Sequence, residues 1–333
     1  MKISVAMCTY NGARYLREQL DSIATQTRPP DELVVCDDQS SDTTLEIVSA
    51  FANSAPFPVQ LRVNEHNLGS TKNFAQAIGL CEGDIIALAD QDDVWLPEKL
   101  RRIEACFLGK PEVGLVFTDA EVVDERLQPA SYRLWESVGF DRTQRRLVRT
   151  GRMIDLLLPG WTVTGATMAF RSRFRDLVLD IPADLPMIHD GWIALLIASV
   201  ANVSFIEEPL IKYRQHSLQQ IGAKERKVGH GNARLEAVKE AMRRTNSYDD
   251  IINIGTQAKR RLVDRSDVYR SDRALSRLDS RMVHLRARAH LPDGVASRVR
   301  SVIIELLSRR YHLYSNGFRS AVKDLLTRAL TSL

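Results

Sequence analysis

Only four cysteines occur in the 333 residues, Cys8, Cys36, Cys81 and Cys106, and no two of them stand in a C-x-x-C spacing. This argues against a disulfide framework and a cysteine zinc site, and leaves the thiols as small core residues. Long apolar runs are missing too. The longest, residues 193–206, is interrupted by Ser199, Asn202 and Ser204; it falls short of the ~20 apolar residues that cross a bilayer and reads as a buried helix running into a strand. The first residues offer a single Lys and then an apolar run of strand length, too short for the centre of a secretory signal, which predicts a cytoplasmic protein. Neither G-x-G-x-x-G nor a Walker A motif is present: Tyr10-Asn11-Gly12 stands after the first apolar run instead. No finger, helix-turn-helix or aromatic stacking motif accompanies the basic residues, so nucleic acid is not an expected partner.

What is present is an alternation. Residues 3–8, 33–36, 85–89 and 114–117 are short runs rich in Val, Ile and Leu, with a further strand expected at 60–64. Between them, residues 13–25, 43–52, 71–81 and 98–108 have helical periodicity and open on residues suited to helix starts, such as Asn11-Gly12, Ser41-Asp42 and Gly69-Ser70. Strand and helix in turn predict an α/β fold, Rossmann-like, with a largely parallel sheet flanked by helices. Further strands are expected over 162–170 and 205–213, with a helix after Trp192.

Charge divides the chain. From residue 223 onward there are 24 Lys and Arg against 12 Asp and Glu, and because the whole chain nets only +4, the first 222 residues net −8. The expected organisation is a catalytic domain over 1–222 and a basic, mainly helical region over 223–333, broken at 246–250 and at Pro292-Asp293-Gly294. Solvated helix faces, peripheral contact with the anionic inner face of a membrane, and a homodimer are all open readings of that region.

In an open parallel sheet, ligands bind outside the carboxyl ends of the strands. Those ends carry Thr9-Tyr10-Asn11, Asp37-Asp38 and Asp90-Gln91-Asp92-Asp93. Carboxylates as close as Asp90 and Asp92 repel one another, a cost that a divalent cation relieves, and such a cation suits a nucleotide's phosphates. On the residues alone, Asp37 to Ser41 also reads as a turn, Asp93 as a helix cap, and Asp190 as the cap of the apolar helix that follows it.

Four segments together, SVAMCTYNGARYLREQLDSIATQT, ELVVCDDQSSDTT, NLGSTKNF and LADQDDVWLPEKL, resemble glycosyltransferase family 2, the inverting enzymes with the GT-A fold, over roughly residues 1–222. QDDVW, followed by Ile188-His189-Asp190-Gly191-Trp192 and Tyr213-Arg214-Gln215-His216, is most similar to the branch that includes polysaccharide rhamnosyltransferases, although Gly191 stands where a second aromatic is usual. The resemblance implies a dTDP- or UDP-sugar donor, a glycan or lipid-linked acceptor hydroxyl, and Mn or Mg as cofactor. It assigns Asp190 as the base that takes the acceptor's proton, a role suited to a carboxylate whose pKa an apolar helix raises. Donor binding falls to Thr9, Tyr10, Asn11, Asp38 and Asp90, with Arg214 toward the diphosphate; Asp37 either contributes or merely ends its strand, and Lys72 either approaches the ribose or phosphates or is an exposed helical lysine. Asp92 is the main metal ligand, Asp90 holds the ribose or shares the metal, and His216 either completes the coordination or is a surface residue at a strand end. Trp161, Gly165 and Trp192 fall on the acceptor side, Trp192 as a sugar-ring wall or as core. Two other readings remain: a nucleotidyltransferase of related architecture, whose Gly-rich basic loop is not seen here, and an inactive scaffold acting through its basic helices.

Overall fold

A computed structural model describes residues 1–158, 162–182, 185–217, 219, 222 and 248–326. They fall into two compact units: one holds residues up to 182 and from 187 to 222, the other residues from 248 on together with 185 and 186.

The first unit is built on β1 (Ile3–Thr9), β2 (Glu32–Asp37), β3 (Val59–Val63) and β4 (Ile85–Ala89), all parallel, in the order β3-β2-β1-β4. Crossovers run through α1 (Ala13–Ala24), α2 (Thr44–Ala52) and α3 (Ser70–Leu80). β1 and β4 are buried along almost their whole length, which is why they read as unbroken apolar runs rather than as alternating ones. In α1 the apolar Leu16, Leu20 and Ile23 recur at helical spacing and pack with Val5, Met7, Leu33 and Val35 of the sheet.

Beyond β4 the sheet becomes mixed, so the expected parallel order holds for the first four strands only. After β5 (Val94–Trp95) and α4 (Lys99–Gly109), the chain forms β6 (Val113–Val123), β7 (Pro129–Arg133), then the short helices α5 (Leu134–Val138), α6 (Arg142–Arg149) and α7 (Ile154–Leu157). β8 (Met168–Arg171) lies antiparallel between β4 and β6. α8 (Arg175–Val178) and α9 (His189–Val200) lead into β9 (Asn202–Arg214), which runs parallel to β6 and antiparallel to β5. The strand expected over 162–170 is thus mostly absent: Gly165–Thr167 form a 3-10 turn, because the Gly165 N–H is drawn to the Asp190 carboxylate and not to a neighbouring strand. α9 is apolar on nearly every side and buried from His189 to Ile197, the mark of a helix inside the unit.

The second unit consists of α10 (Tyr248–Asp264), α11 (Asp272–Ala289), α12 (Val295–Leu307), α13 (Arg310–Tyr314) and α14 (Phe318–Leu326). Its centre includes Val302, Tyr311 and Ala321. Pro292-Asp293-Gly294 separates α11 from α12 as expected, whereas Asp249 and Asp250 lie in the first turn of α10 rather than in a break. No helix among the described residues is long and apolar enough to cross a membrane.

Candidate active site

Because β1, β2 and β4 are parallel, their carboxyl ends open on one edge, and the loops that follow are tied to each other there. Asp37 is fully buried and accepts from Thr9 Oγ1 (2.6 Å), Ser40 N (2.8 Å) and Ser40 Oγ (2.6 Å). Asn11, at φ 45°, donates its N–H to Ser40 Oγ (2.8 Å) and accepts from Ser41 N (2.8 Å). Gln91 clips β4 to β1: Tyr10 N donates to its Oε1 (2.8 Å) and its Nε2 donates to Tyr10 O (3.0 Å). A Cβ on residue 12 would sit 2.1 Å from Gln91 Oε1, which accounts for Gly12. Asp37 and Asn11 therefore shape the edge, while Tyr10, 51% exposed, stands beside the cavity described below.

Asp38 is 3% exposed, and its carboxylate accepts from Asn64 Nδ2 (2.8 Å), Leu68 N (2.7 Å) and Gly69 N (2.8 Å). These bonds hold the loop entering α3, leaving about one of a carboxylate's four acceptor positions for a ligand. α3 presents Asn73 and Phe74 to the cavity; Lys72, one residue earlier, is exposed and does not line it.

After β4, Asp90 and Asp92 both line the cavity. Burial, with Asp92 and Asp190 nearby, raises the Asp90 carboxyl to about 7. Asp92 Oδ2 meets His216 Nε2 at 2.7 Å, although 124 residues separate them in sequence. Asp93 is buried and does not cap α4; it accepts the Arg214 N–H (3.0 Å), and burial together with Asp92 and Asp90 raises its carboxyl well above the ordinary range. Arg214, also at the cavity, directs its guanidinium elsewhere: Nε donates to Asp92 O (2.7 Å), Nη1 to Glu125 O (2.8 Å) and Nη2 to Glu18, with the Tyr15 ring 4.5 Å away. It braces the Asp92 loop with three of its five N–H donors. Lys99, fully buried, donates to Ala166 O (2.6 Å) and lies over Trp95 (3.6 Å); burial lowers its pKa well below the usual lysine value, against the pull of Asp93 and Asp90.

Across the cavity, the first turn of α9 supplies Asp190, 7% exposed. Its Oδ1 accepts from Gly191 N (2.6 Å) and its Oδ2 from Gly165 N (3.1 Å); burial still raises its carboxyl to about 6, those hydrogen bonds opposing the shift. A Cβ on residue 191 would lie 2.9 Å from Met187 Cγ, which explains glycine where the family pattern has an aromatic. His189, 5% exposed, stacks on Phe74 with ring centres 4.1 Å apart, has no hydrogen-bond partner among the described residues at either ring nitrogen, and is lowered to about 3 by burial. Trp192 is 1% exposed in the core and does not line the cavity, while Trp161 lies outside the described residues.

The result is one cavity of about 480 Å³ lined by Thr9, Tyr10, Asp38, Asp90, Asp92, Gly165, Asp190, Arg214 and His216 from the expected set. Asn73, Phe74 and His189 line it as well without having been expected there, and so does Gln91 of the strand-end run. Asn73 and Phe74 belong to the family segment NLGSTKNF, and His189 to the motif that carries Asp190, but the expected set does not extend to these side chains. Among the described residues no three His, Cys, Asp or Glu side chains are gathered as a metal-binding group, so Asp90 is not assembled with Asp92 and His216 in this structure. The Asp92 and His216 pair nonetheless fits a hard divalent cation that takes its remaining ligands from phosphate oxygens and water.

The pattern described as Glycosyl transferase family 2 matches residues 4–176, just over half of the chain. A dTDP-rhamnosyl transferase of Shigella flexneri, RfbG, is 28% identical over 225 residues, covering 65% of this chain and 74% of that protein. Among solved structures, Staphylococcus aureus TarS in complex with UDP-GlcNAc superposes with a TM-score of 0.54 at 19% identity, over 98% of this chain and 82% of the other. A mannosyltransferase of Pyrobaculum calidifontis, in complex with GDP-Man and Mn2+, gives 0.50 at 17% identity over 99% and 86%. At these identities the two structures share the fold with this chain.

Proposed function

This chain belongs to Glycosyl transferase family 2, and on that premise we propose that it is an inverting glycosyltransferase acting through Asp190 on a dTDP- or UDP-sugar, with rhamnose or another hexose transferred to a hydroxyl of a surface polysaccharide or lipid-linked glycan precursor. The observation that carries this reading is the convergence of Asp38, Asp90, Asp92 and Asp190, from three separate stretches of sequence, on one cavity. Inversion requires a single displacement with the base opposite the leaving group. Asp190, held at about 6, takes the acceptor hydroxyl's proton as its oxygen bonds to the anomeric carbon, and the bond from that carbon to the diphosphate breaks. Tyr10 offers an exposed ring for the nucleobase to stack on, and Asp38 keeps one acceptor position for it. Asp92 and His216 would hold a divalent cation, Mn or Mg, which supplies charge neutralisation for the leaving diphosphate. Arg214 keeps the Asp92 loop in place.

The test is nucleoside diphosphate release from a panel of dTDP- and UDP-sugars, with Mn or Mg and after chelation, and with the product's anomeric configuration read by NMR. Inverted product that requires the cation supports the proposal. Pyrophosphate release from a nucleoside triphosphate and a sugar phosphate would make the protein a nucleotidyltransferase, and turnover of neither would make it a scaffold.

A further inference from the structure

The second unit carries a surface with no part in that chemistry. On α12, Val295, Val299, Ile303 and Leu307 recur every fourth residue and so form a stripe along one side of the helix. All four are exposed, Val295 and Leu307 at 79%. α14, packed against α12, adds exposed Phe318 (66%), Val322, Leu325 and Leu326. Such a concentration of large apolar groups facing water is costly unless something covers it.

The charges say what. Between residues 294 and 326 the only carboxylates are Glu305 and Asp324, and both are buried and turned inward. Glu305 lies between His284 Nδ1 (2.6 Å) and the Arg310 guanidinium (2.6 Å), and Asp324 accepts from Arg288 (2.6 Å) and Tyr311 Oη (2.7 Å). The charges left outside on this stretch are basic, at Arg300, Arg309, Arg319 and Lys323. Charge counting along the sequence left a membrane and a second copy equally open. A two-fold contact between copies would bring this face against itself, cation toward cation with no exposed carboxylate in the stretch to answer them. An anionic bilayer offers opposite charge at the headgroups and an apolar layer beneath, which is what an apolar stripe flanked by arginines matches.

We propose that the α12 and α14 face docks this protein peripherally on a bilayer containing anionic lipid. The inference stands on the second unit alone and is independent of the nucleotide-sugar reading.

Flotation of the full-length chain with phosphatidylcholine vesicles, with and without a third of phosphatidylglycerol, tests it. The expected result is co-flotation with the anionic vesicles only, lost at high salt. Ile303→Asp with Leu307→Asp puts carboxylates into the stripe, and Arg300→Glu with Arg319→Glu reverses the flanking charge. Each cation near the surface contributes roughly fivefold to partitioning, so the charge-reversed pair should bind at least roughly tenfold more weakly. All four positions are exposed, and unchanged circular dichroism and melting would exclude unfolding as the cause. Equal binding to neutral vesicles, no binding at all, or wild-type flotation by both pairs would overturn the proposal. So would sedimentation showing a dimer that the Ile303→Asp, Leu307→Asp pair converts to monomer, since the face would then be a self-contact.

Discussion

The two sides of the cavity bury acids in opposite ways. On the β2 side, Asp37 and Asp38 each accept three hydrogen bonds from fixed neighbours, and those bonds define where the loops run. On the α9 side, Asp190 accepts two backbone N–H groups and is still lifted to about 6, while His189 next to it has no hydrogen-bond partner among the described residues. Buried polar groups that are satisfied hold a fold together; those left wanting are where a ligand or a proton has something to gain. The contrast separates residues that build the site from residues that react in it.

The largest effect should come from the reactive side. Asp190→Asn keeps the shape and removes the base, so transfer should fall roughly a hundred- to ten-thousandfold. Binding of UDP or dTDP, followed by thermal shift, should stay the same. The pKa also fixes a sign for stability. A carboxyl raised from its ordinary value of 3.8 to about 6 contributes stability below the ordinary value that is lost as pH rises through about 6. Above that pH its charge opposes folding by on the order of 3 kcal/mol. The Asn variant should therefore melt no lower than wild type at pH 8; a variant that loses activity together with melting temperature would put Asp190 among the builders. In the wild type, kcat/KM should rise with pH along an acid limb centred near 6, and the absence of that limb would remove Asp190 as the titrating base.

On the satisfied side, the effect should appear in stability. Asp38→Ala leaves Leu68 N, Gly69 N and Asn64 Nδ2 without their acceptor, and at about 1–3 kcal/mol for each buried orphan, softened by relaxation, the loss should be on the order of 3 kcal/mol. Urea denaturation would measure it. Nucleotide binding should weaken in the same variant because Asp38 also lines the cavity. An Asp38→Ala protein with wild-type stability would erase the distinction between the two sides. A smaller loss is expected from Gly12→Ala, whose Cβ must push aside Gln91 and so unclip β4 from β1; roughly 1–2 kcal/mol is the scale for a pair of side-chain hydrogen bonds.

Much of this was legible in the chain. The helices α1 to α4 fall within a residue or two of their expected limits, because apolar spacing and helix-starting residues are local signals. Thr9, Asp38, Asp90 and Asp92 reach one cavity because strand ends in a parallel sheet must share an edge, and the family pattern added Asp190 and His216 from afar. What failed was long-range. The 3-10 turn at Gly165 exists because of a carboxylate 25 residues away, and the Arg214 guanidinium is tied to backbone carbonyls of two distant loops and to Glu18. Lys99 gave no sign of being buried, since its acceptor, Ala166 O, comes from that same turn. No single stretch of sequence contains both partners of such contacts.

His189 tests the contrast at its finest. A Cβ on residue 165 would stand 3.1 Å from His189 Nε2 and 3.9 Å from Asp190 Oδ2, so both groups border Gly165 at the cavity wall, where an entering hydroxyl would pass. Lowered to about 3 by burial, His189 is neutral at any working pH and has one nitrogen to donate and one to accept. Removing one uncharged hydrogen bond to a substrate is worth about 1 kcal/mol, so His189→Ala should raise the acceptor KM roughly fivefold and leave the acid limb near 6 where it was. Gly165→Ala, whose methyl group would crowd His189 and Asp190, should act in the same direction. If instead His189→Ala binds acceptor normally and only melts earlier, the imidazole is a packing group like Trp192, and the unsatisfied side of the cavity narrows to Asp190 and its neighbours after β4.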